Sequence, residues 1–210
     1  MNDRLKVLVM GGKSEGFHEF KVMEPIYRKF LGEAGFDVTL SEDRDFFTPE
    51  KIQPFHVILD YTTGDSLTEP QQQGLLGGIC GGKGFIGVHS AADSYHNCRR
   101  YERMVGAVFL THPAIQNYTF KVRNYTHPIM QGVTDFVASE ELYLMDLIGR
   151  FEVLLTTYYN GFERECAWVK PYGQGRVFFC ALGHGQEQHE GAMFQKMIVN
   201  AVHWTAASKP

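Results

Sequence analysis

Short apolar segments that alternate with helical ones constrain the fold of this chain more than any other feature. Nearly continuous apolar runs occur at Leu5–Met10, Phe55–Tyr61 and Gly84–His89, and such runs are typical of strands buried on both faces. Apolar residues at helical spacing, from Met23 to Ala34, follow the first run, and a helix opened by Thr68-Glu69-Pro70 follows the second. This alternation predicts an α/β fold with a parallel sheet and helices on both faces.

The second half of the chain predicts more strands, some of them antiparallel. The further strand-like segments of the whole chain are Phe36–Leu40, Ile115–Arg123, Phe151–Tyr158, Cys166–Val169 and Gly175–Leu182. A closing helix is predicted from the apolar face of Phe194, Met197, Ile198, Ala201 and Val202. Because no repeat and no long linker divides the sequence, residues 1–210 are predicted to form a single α/β domain.

Composition excludes several classes of protein. The 210 residues are 44% hydrophobic and 21% charged, which excludes a disordered chain. The net charge of -4, with no basic stripe, argues against a nucleic-acid partner. No 18-residue apolar run and no signal-peptide pattern occur, so no membrane association is expected. The four cysteines form no CxxC pair, and we expect a reduced, cytoplasmic protein.

Polar residues follow the predicted strands where each strand ends. Ligands of open parallel sheets bind at the carboxyl ends of the strands, so these residues are expected to converge on one rim. They are His18, Asp60, His89, Ser90, Asp93 and His184.

The fourth predicted strand ends in a small-residue pattern that is typical of a nucleophile elbow. Gly87 lies two residues before His89 and Ala91 two residues after it, and bulk at either position would collide in so sharp a turn. The pattern therefore predicts an exposed imidazole that serves as base, acid or metal ligand. A small-residue turn that only caps a helix remains the alternative. Cys80 also lies in a Gly-x-Cys-x-Gly pattern, but it precedes a strand and is interpreted as a helix-end residue.

Further candidates lie outside the elbow. His184 stands between two glycines at the end of an apolar strand, which permits a ligand to approach closely. An apolar segment leads into His112 at a polar corner, although His-Pro is also an ordinary turn dipeptide. Glu141 is a candidate carboxylate, with a solvated helix start as the alternative, and Tyr143 is a candidate hydrogen-bond donor.

No local metal motif is present, and the sequence requires no cofactor. Separated histidines on one rim can nevertheless ligate a divalent metal such as zinc, because only proximity in the folded protein matters. If a metal is bound, the predicted ligands are His18, His89, His112 and His184.

Several segments resemble the ThuA-like family, which is named for trehalose utilisation. The segment from Gly84 to Asp93 is similar to that family's signature, and Val105–Pro113 is similar to its glycine and His-Pro segment. His127-Pro128-Ile129, Glu140–Tyr143 and Gly175–His184 follow in the family's order. The resemblance covers nearly the whole chain.

The resemblance implies a flavodoxin-like three-layer sandwich with a mostly parallel sheet, of the class I glutamine amidotransferase-like kind. It also implies a role in carbohydrate catabolism beside oxidoreductases that make 3-keto sugars. By position, His89 matches the amidotransferase cysteine and His184 the histidine that activates it. Without the thiol, a thioester route to ammonia is not expected, and the chain is not expected to be a functional glutamine amidotransferase.

Two function classes follow. In the first, the chain is an enzyme that hydrolyses, eliminates or isomerises a sugar or keto-glycoside by acid–base chemistry, with metal assistance if a metal is bound. Its predicted catalytic residues are His89, His184, Glu141 and Asp93, and its predicted substrate-binding residues are His18, Asp60, Ser90, His112 and Tyr143. In the second, it is a non-catalytic sugar-binding or regulatory protein. Either protein is expected to bind a small carbohydrate and to form a homo-oligomer; a partner subunit is a weaker third reading.

Overall fold

A computed structural model gives the protein's fold for residues 4–12, 16 and 18–207. The strands are β1 (Lys6–Gly12), β2 (Asp37–Ser41), β3 (Val57–Thr62), β4 (Gly84–Val88), β5 (Ala107–Thr111), β6 (Gln116–Val122), β7 (Phe136–Glu140), β8 (Leu144–Leu147), β9 (Glu152–Tyr159), β10 (Phe162–Tyr172) and β11 (Gly175–Cys180). The helices are α1 (Phe20–Glu33), α2 (Glu69–Cys80), α3 (Arg99–Val105), α4 (Gln186–Glu190) and α5 (Ala192–Ala206). Short 3-10 helices span Arg44–Phe47, His89–Asp93 and Pro128–Met130. The sequence predicts a loop at Gly11–Gly16, and residues 13–15 of it lie outside the described residues.

Nine of the strands in the described ranges form one sheet, in the order β2-β1-β3-β4-β11-β10-β9-β6-β7. The first five are parallel, and from β11 onward every pairing is antiparallel. The expected α/β fold is confirmed, but the sheet is mixed rather than mostly parallel. Only two residues separate β9 from β10 and β10 from β11, and so short a connection permits a hairpin but no parallel crossover.

Helices cover both faces of the parallel part of the sheet. Alternate residues of β1 point to opposite faces: Val7 and Val9 join one buried cluster, and Leu8 and Met10 join the other. The first cluster contains apolar residues of α1 and α5, and the second contains those of α2 and α3. No helix in the described part of the chain is both long and apolar enough to cross a membrane.

Several elements that follow β4 have no counterpart in the sequence-based prediction. α3 has seven residues, β7 five and β8 four, lengths at which neither helical nor alternating periodicity is distinctive. β5 and β8 pair only with each other, in a two-stranded antiparallel sheet. After β4 the chain enters a five-residue 3-10 helix instead of the α-helix that an elbow would ordinarily open.

Two glycines of α2 provide a test of its packing. A methyl group at Gly74 would overlap the carbonyl oxygen of Phe47, whereas nothing lies within 4 Å of the corresponding position at Gly77. We expect Gly74→Ala to lower the free energy of unfolding by about 2 kcal/mol through overpacking. Gly77→Ala should raise it by about 0.5–1 kcal/mol, because alanine is the better helix former.

Urea unfolding of both variants against the wild type measures these changes. Equal effects of the two substitutions would contradict the described contact between α2 and the 3-10 helix at Arg44–Phe47.

Candidate functional site

His89 begins the 3-10 helix that follows β4, and its side chain is fully buried, so the prediction of an exposed imidazole at the elbow is wrong. Its φ of 45° lies in the left-handed region, which a residue with a side chain seldom adopts. A methyl group at Gly87 would lie 3.0 Å from the Phe179 ring and 3.3 Å from the Ala91 methyl. The crowding explains why small residues flank this turn, and the strained backbone is of the kind that structures retain at functional sites.

Four side chains from separate segments meet at the carboxyl edge of the sheet. Each offers one nitrogen or oxygen donor, and these atoms lie within 4.8 Å of one another. His18 Nε2 is 3.0 Å from His184 Nδ1. The Glu141 Oε2 atom lies 3.1 Å from His184 Nδ1 and 3.5 Å from His89 Nε2. We call these four residues, His18, His89, Glu141 and His184, the histidine–glutamate cluster.

Groups behind the cluster orient two of its imidazoles. His89 Nδ1 lies 2.7 Å from the Ala181 carbonyl oxygen, and because a carbonyl only accepts, this nitrogen donates. His89 Nε2 therefore faces the cluster, where it is buried and makes no hydrogen bond of good geometry. His18 Nδ1 lies 3.0 Å from the Thr63 hydroxyl, so its Nε2 also faces inward.

A buried carboxylate holds two segments of the cluster together. Glu140 ends β7, and its oxygens accept backbone N–H bonds from Glu141 at 2.9 Å, Gly183 at 2.8 Å and His184 at 3.2 Å. Burial raises the pKa of Glu140 above its usual value, while these three bonds favour its charged form. The Tyr61 hydroxyl, from β3, donates to the His184 carbonyl oxygen. Glu141 and His184 are thus fixed by groups that do not belong to the cluster.

Burial and the contacts within the cluster together set the pKa values of its side chains. Burial and the neighbouring His89 and His184 lower the pKa of His18 to about 2, so His18 is neutral near pH 7. Burial also lowers the pKa of His184, although Glu141 opposes this. For Glu141, burial favours the neutral form, but the contacts with the histidines outweigh it and hold its pKa below the usual value. Near pH 7 the environment thus favours neutral imidazoles at His18 and His184 and a charged carboxylate at Glu141.

Two further candidates border the cluster. The Nδ1 atom of His112 lies 3.2 Å from Glu141 Oε1, and 42% of the His112 side chain is exposed. The Tyr143 ring lies against that of His89, with centroids 3.9 Å apart. His112 is not one of the four clustered donors, whereas Glu141 is. The four histidines predicted as metal ligands therefore stay a prediction, and the four donors that lie together include Glu141 in place of His112.

The remaining candidates do not join the cluster. Asp60 is fully buried and accepts hydrogen bonds from the Thr62 and Tyr101 hydroxyls, and its role in substrate binding stays a prediction. Ser90 is also fully buried. The Asp93 carboxylate lies 3.1 Å from His96 Nε2, and its catalytic role stays a prediction. Glu140 and Thr63 were not predicted as site residues. No sequence pattern shows which carboxylate turns inward or which hydroxyl lies behind an imidazole.

The Glu140 carboxylate can be tested by replacing one of its oxygens with an amide nitrogen. Glu140→Gln keeps the shape but removes one of two acceptors that serve three N–H groups. We expect a loss of about 1–3 kcal/mol in the free energy of unfolding, since buried donors lose their partner. Urea unfolding measures it, with the exposed Glu50→Gln as control. Equal stability of the two variants would contradict the role assigned to Glu140.

His189 provides a test by pH. It is fully buried beside Tyr27 and Tyr61, it bonds the Gly183 carbonyl oxygen, and burial lowers its pKa to about 3. Between that value and about 6.5 the unfolded chain binds a proton that the folded chain excludes. Stability is therefore full above pH 6.5 and falls toward pH 3, with a contribution of about 1.4 kcal/mol per pH unit from this residue.

His189→Gln keeps a donor for the Gly183 carbonyl and should reduce the slope of unfolding free energy against pH, measured between pH 7 and 5 with a chelator present. The exposed His203→Gln is the control. If His189→Gln leaves the slope unchanged, the pKa of His189 is not lowered in the folded protein.

Solved structures share this fold at low sequence identity. A putative ThuA-like protein from Parabacteroides merdae superposes with a TM-score of 0.86 at 20% identity, over 97% of this chain and 90% of that one. A second, from Bacteroides uniformis, gives 0.81 at 22% identity, over 96% and 91%. A β-galactosidase from Rahnella sp. R3 matches 98% of this chain over only 32% of its own, with a TM-score of 0.69 at 14% identity. At these identities the likeness shows the fold alone.

Family membership comes from the sequence itself. No curated protein matches the chain significantly. The model of one family, ThuA, described as trehalose utilisation, matches residues 6–205. Since that match spans nearly the whole chain and includes the elbow at His89 and the segment that ends in His184, the chain belongs to the ThuA family of trehalose utilisation, a family of carbohydrate metabolism.

Proposed function

We propose that this protein is an enzyme of carbohydrate catabolism that moves a proton on a carbonyl-bearing sugar, such as a keto-glycoside, at the histidine–glutamate cluster. The observation that carries the proposal is the convergence of three imidazoles and one carboxylate within 4.8 Å at the edge of the sheet. Membership of a trehalose utilisation family supplies the substrate class.

The chemistry suits a ketone next to a C–H bond. A 3-keto group acidifies the C–H bond of the neighbouring carbon, so a neutral imidazole near pH 7 can take that proton. The C–H electron pair then forms the C=C bond of an enolate, and the carbonyl π pair moves to the oxygen. If the proton returns at a different position, the sugar is isomerised. If a group leaves instead from the carbon next to the deprotonated one, the reaction is an elimination. His184 and His112 are the partly exposed imidazoles, at 25% and 42% of the side chain, and both contact Glu141.

The elbow argues against amidotransferase chemistry. In amidotransferases of this kind a cysteine occupies the position that matches His89, and an imidazole cannot form the thioester intermediate. The parallel strands run in the order β2-β1-β3-β4-β11, which supports assignment to the flavodoxin-like, class I glutamine amidotransferase-like folds. A homo-oligomer and a cytoplasmic location remain predictions.

A non-catalytic sugar-binding or regulatory protein is the second candidate. The observation in its favour is the complete burial of His89, together with the near-complete burial of His18. Side chains so placed do not touch a substrate directly. Under this alternative the protein binds a sugar and leaves it chemically unchanged.

Exchange of the sugar's C–H proton with D₂O separates the two candidates. Proton NMR of 3-keto-trehalose in D₂O follows the signal of the hydrogen on the carbon next to the ketone. The wild-type protein should accelerate the loss of that signal. Glu141→Gln should slow this exchange by at least about 100-fold, the lower range of acid–base catalysis. His203→Gln, a change to an exposed imidazole of α5, should not slow it.

Wild-type binding of keto-sugars without exchange or turnover would overturn the enzymatic proposal and favour the binding protein. Equal rates in Glu141→Gln and wild type would remove the cluster from the reaction.

A further inference from the structure

We propose a binding site for one divalent transition-metal ion, such as Zn²⁺, formed by His18, His89, Glu141 and His184. The proposal concerns occupancy of these side chains. It therefore stands or falls independently of any sugar reaction.

One contact in the cluster lacks a hydrogen bond of good geometry. His89 Nδ1 donates to a backbone carbonyl, and Nε2, the other ring nitrogen, is buried without a hydrogen-bond partner 3.5 Å from Glu141 Oε2. The same Oε2 atom lies 3.1 Å from His184 Nδ1, which also faces His18 Nε2. Facing acceptors repel unless a positive charge lies between them, and a metal ion supplies that charge while accepting all four lone pairs.

The groups behind the ligands have the arrangement of a metal site. Imidazole ligands commonly donate their second ring N–H to a carbonyl or another oxygen, which fixes the tautomer and the orientation of the ring. His89 does so to Ala181 at 2.7 Å, and His18 pairs with Thr63 at 3.0 Å. The backbone of His184 is held by Glu140 and Tyr61. Little reorganisation is therefore needed before an ion binds.

The spacing of the donors fits a small ion. Donors about 2.1 Å from a tetrahedral zinc ion stand roughly 3.4 Å apart. The separations of 3.0, 3.1 and 3.5 Å between neighbouring donors lie close to that value, and the widest separation among the four is no more than 4.8 Å.

The donor set also selects the kind of ion. Three imidazoles with one carboxylate suit zinc, iron or nickel, whereas magnesium and calcium prefer oxygen ligands. His112 contacts the other oxygen of Glu141 and lies outside the donor set. With an ion bound, His184 gives its lone pair to the ion, and His112 is the imidazole left beside the cluster for proton transfer.

Titration calorimetry with Zn²⁺ tests the site. The untagged full chain is first stripped with a chelator and dialysed. We expect one Zn²⁺ per chain and no comparable binding of Mg²⁺. Glu141→Gln and His184→Gln should each weaken Zn²⁺ binding by at least about tenfold. His96→Gln, which removes an exposed imidazole, and His112→Gln should change it less than about threefold.

No Zn²⁺ binding by the wild type would overturn the proposal. Equal binding by the wild type, Glu141→Gln and His184→Gln would do so too, because it would place the ion elsewhere. If these variants do not fold, nitrogen-15 NMR of the wild type decides: Zn²⁺ should shift the ring signals of three of the nine histidines. A shift of none, or of other histidines, would contradict the site.

The two proposals fail in different ways. Zn²⁺ binding without exchange of the sugar proton would uphold the metal site and overturn the enzymatic function. If the stripped protein exchanges the sugar proton but binds no Zn²⁺, the enzymatic function is upheld and the metal site is overturned.

Discussion

The buried carboxylate of Glu140 links the edge of the sheet to its centre. It lies at the end of β7, the outermost antiparallel strand, yet its oxygens receive N–H bonds from Gly183 and His184, which follow the central strand β11. A third N–H comes from Glu141, so the same carboxylate orients the next residue along the chain. Through these bonds, a carboxylate from the antiparallel half of the sheet and an imidazole from the parallel half reach hydrogen-bond distance.

The parallel half contributes the other two imidazoles by a different means, which is backbone strain. His18 has a φ of 52° and His89 a φ of 45°, conformations that cost of order 1–3 kcal/mol each for a residue with a side chain. Each is fixed by a hydrogen bond at Nδ1, to Thr63 and to Ala181. The surrounding structure thus compensates the local backbone cost, and the Nε2 atoms of both rings face the cluster.

Much of the parallel half could be predicted from the sequence, because buried strands leave long apolar runs and their carboxyl ends must share one edge. His18, His89 and His184 follow from that rule without knowledge of a single contact. The small-residue pattern around His89 was informative because the crowding at Gly87 is local to the chain. The antiparallel half was harder, since its short strands carry weak periodicity and the partner of a hairpin strand cannot be read from position.

Side-chain direction was the part that sequence could not supply. Asp60 lies near the carboxyl end of β3, and its carboxylate accepts a hydrogen bond from Tyr101. Tyr101 belongs to α3, a helix too short to leave a clear sequence pattern. Glu140 and Glu141 are adjacent and chemically alike. The Glu140 side chain is almost completely buried, whereas the Glu141 carboxylate contacts the histidines. Which of two neighbours faces the site depends on strand register, and the register of β7 is set by its pairing with β6.

Anomalous X-ray diffraction at the zinc absorption edge would test the convergence of the four donors most directly. Crystals would be grown from untagged protein and soaked in Zn²⁺. The account predicts one strong anomalous peak about 2.0–2.2 Å from donor atoms of His18, His89, Glu141 and His184. No peak at the cluster, or an ion held by other residues, would contradict it.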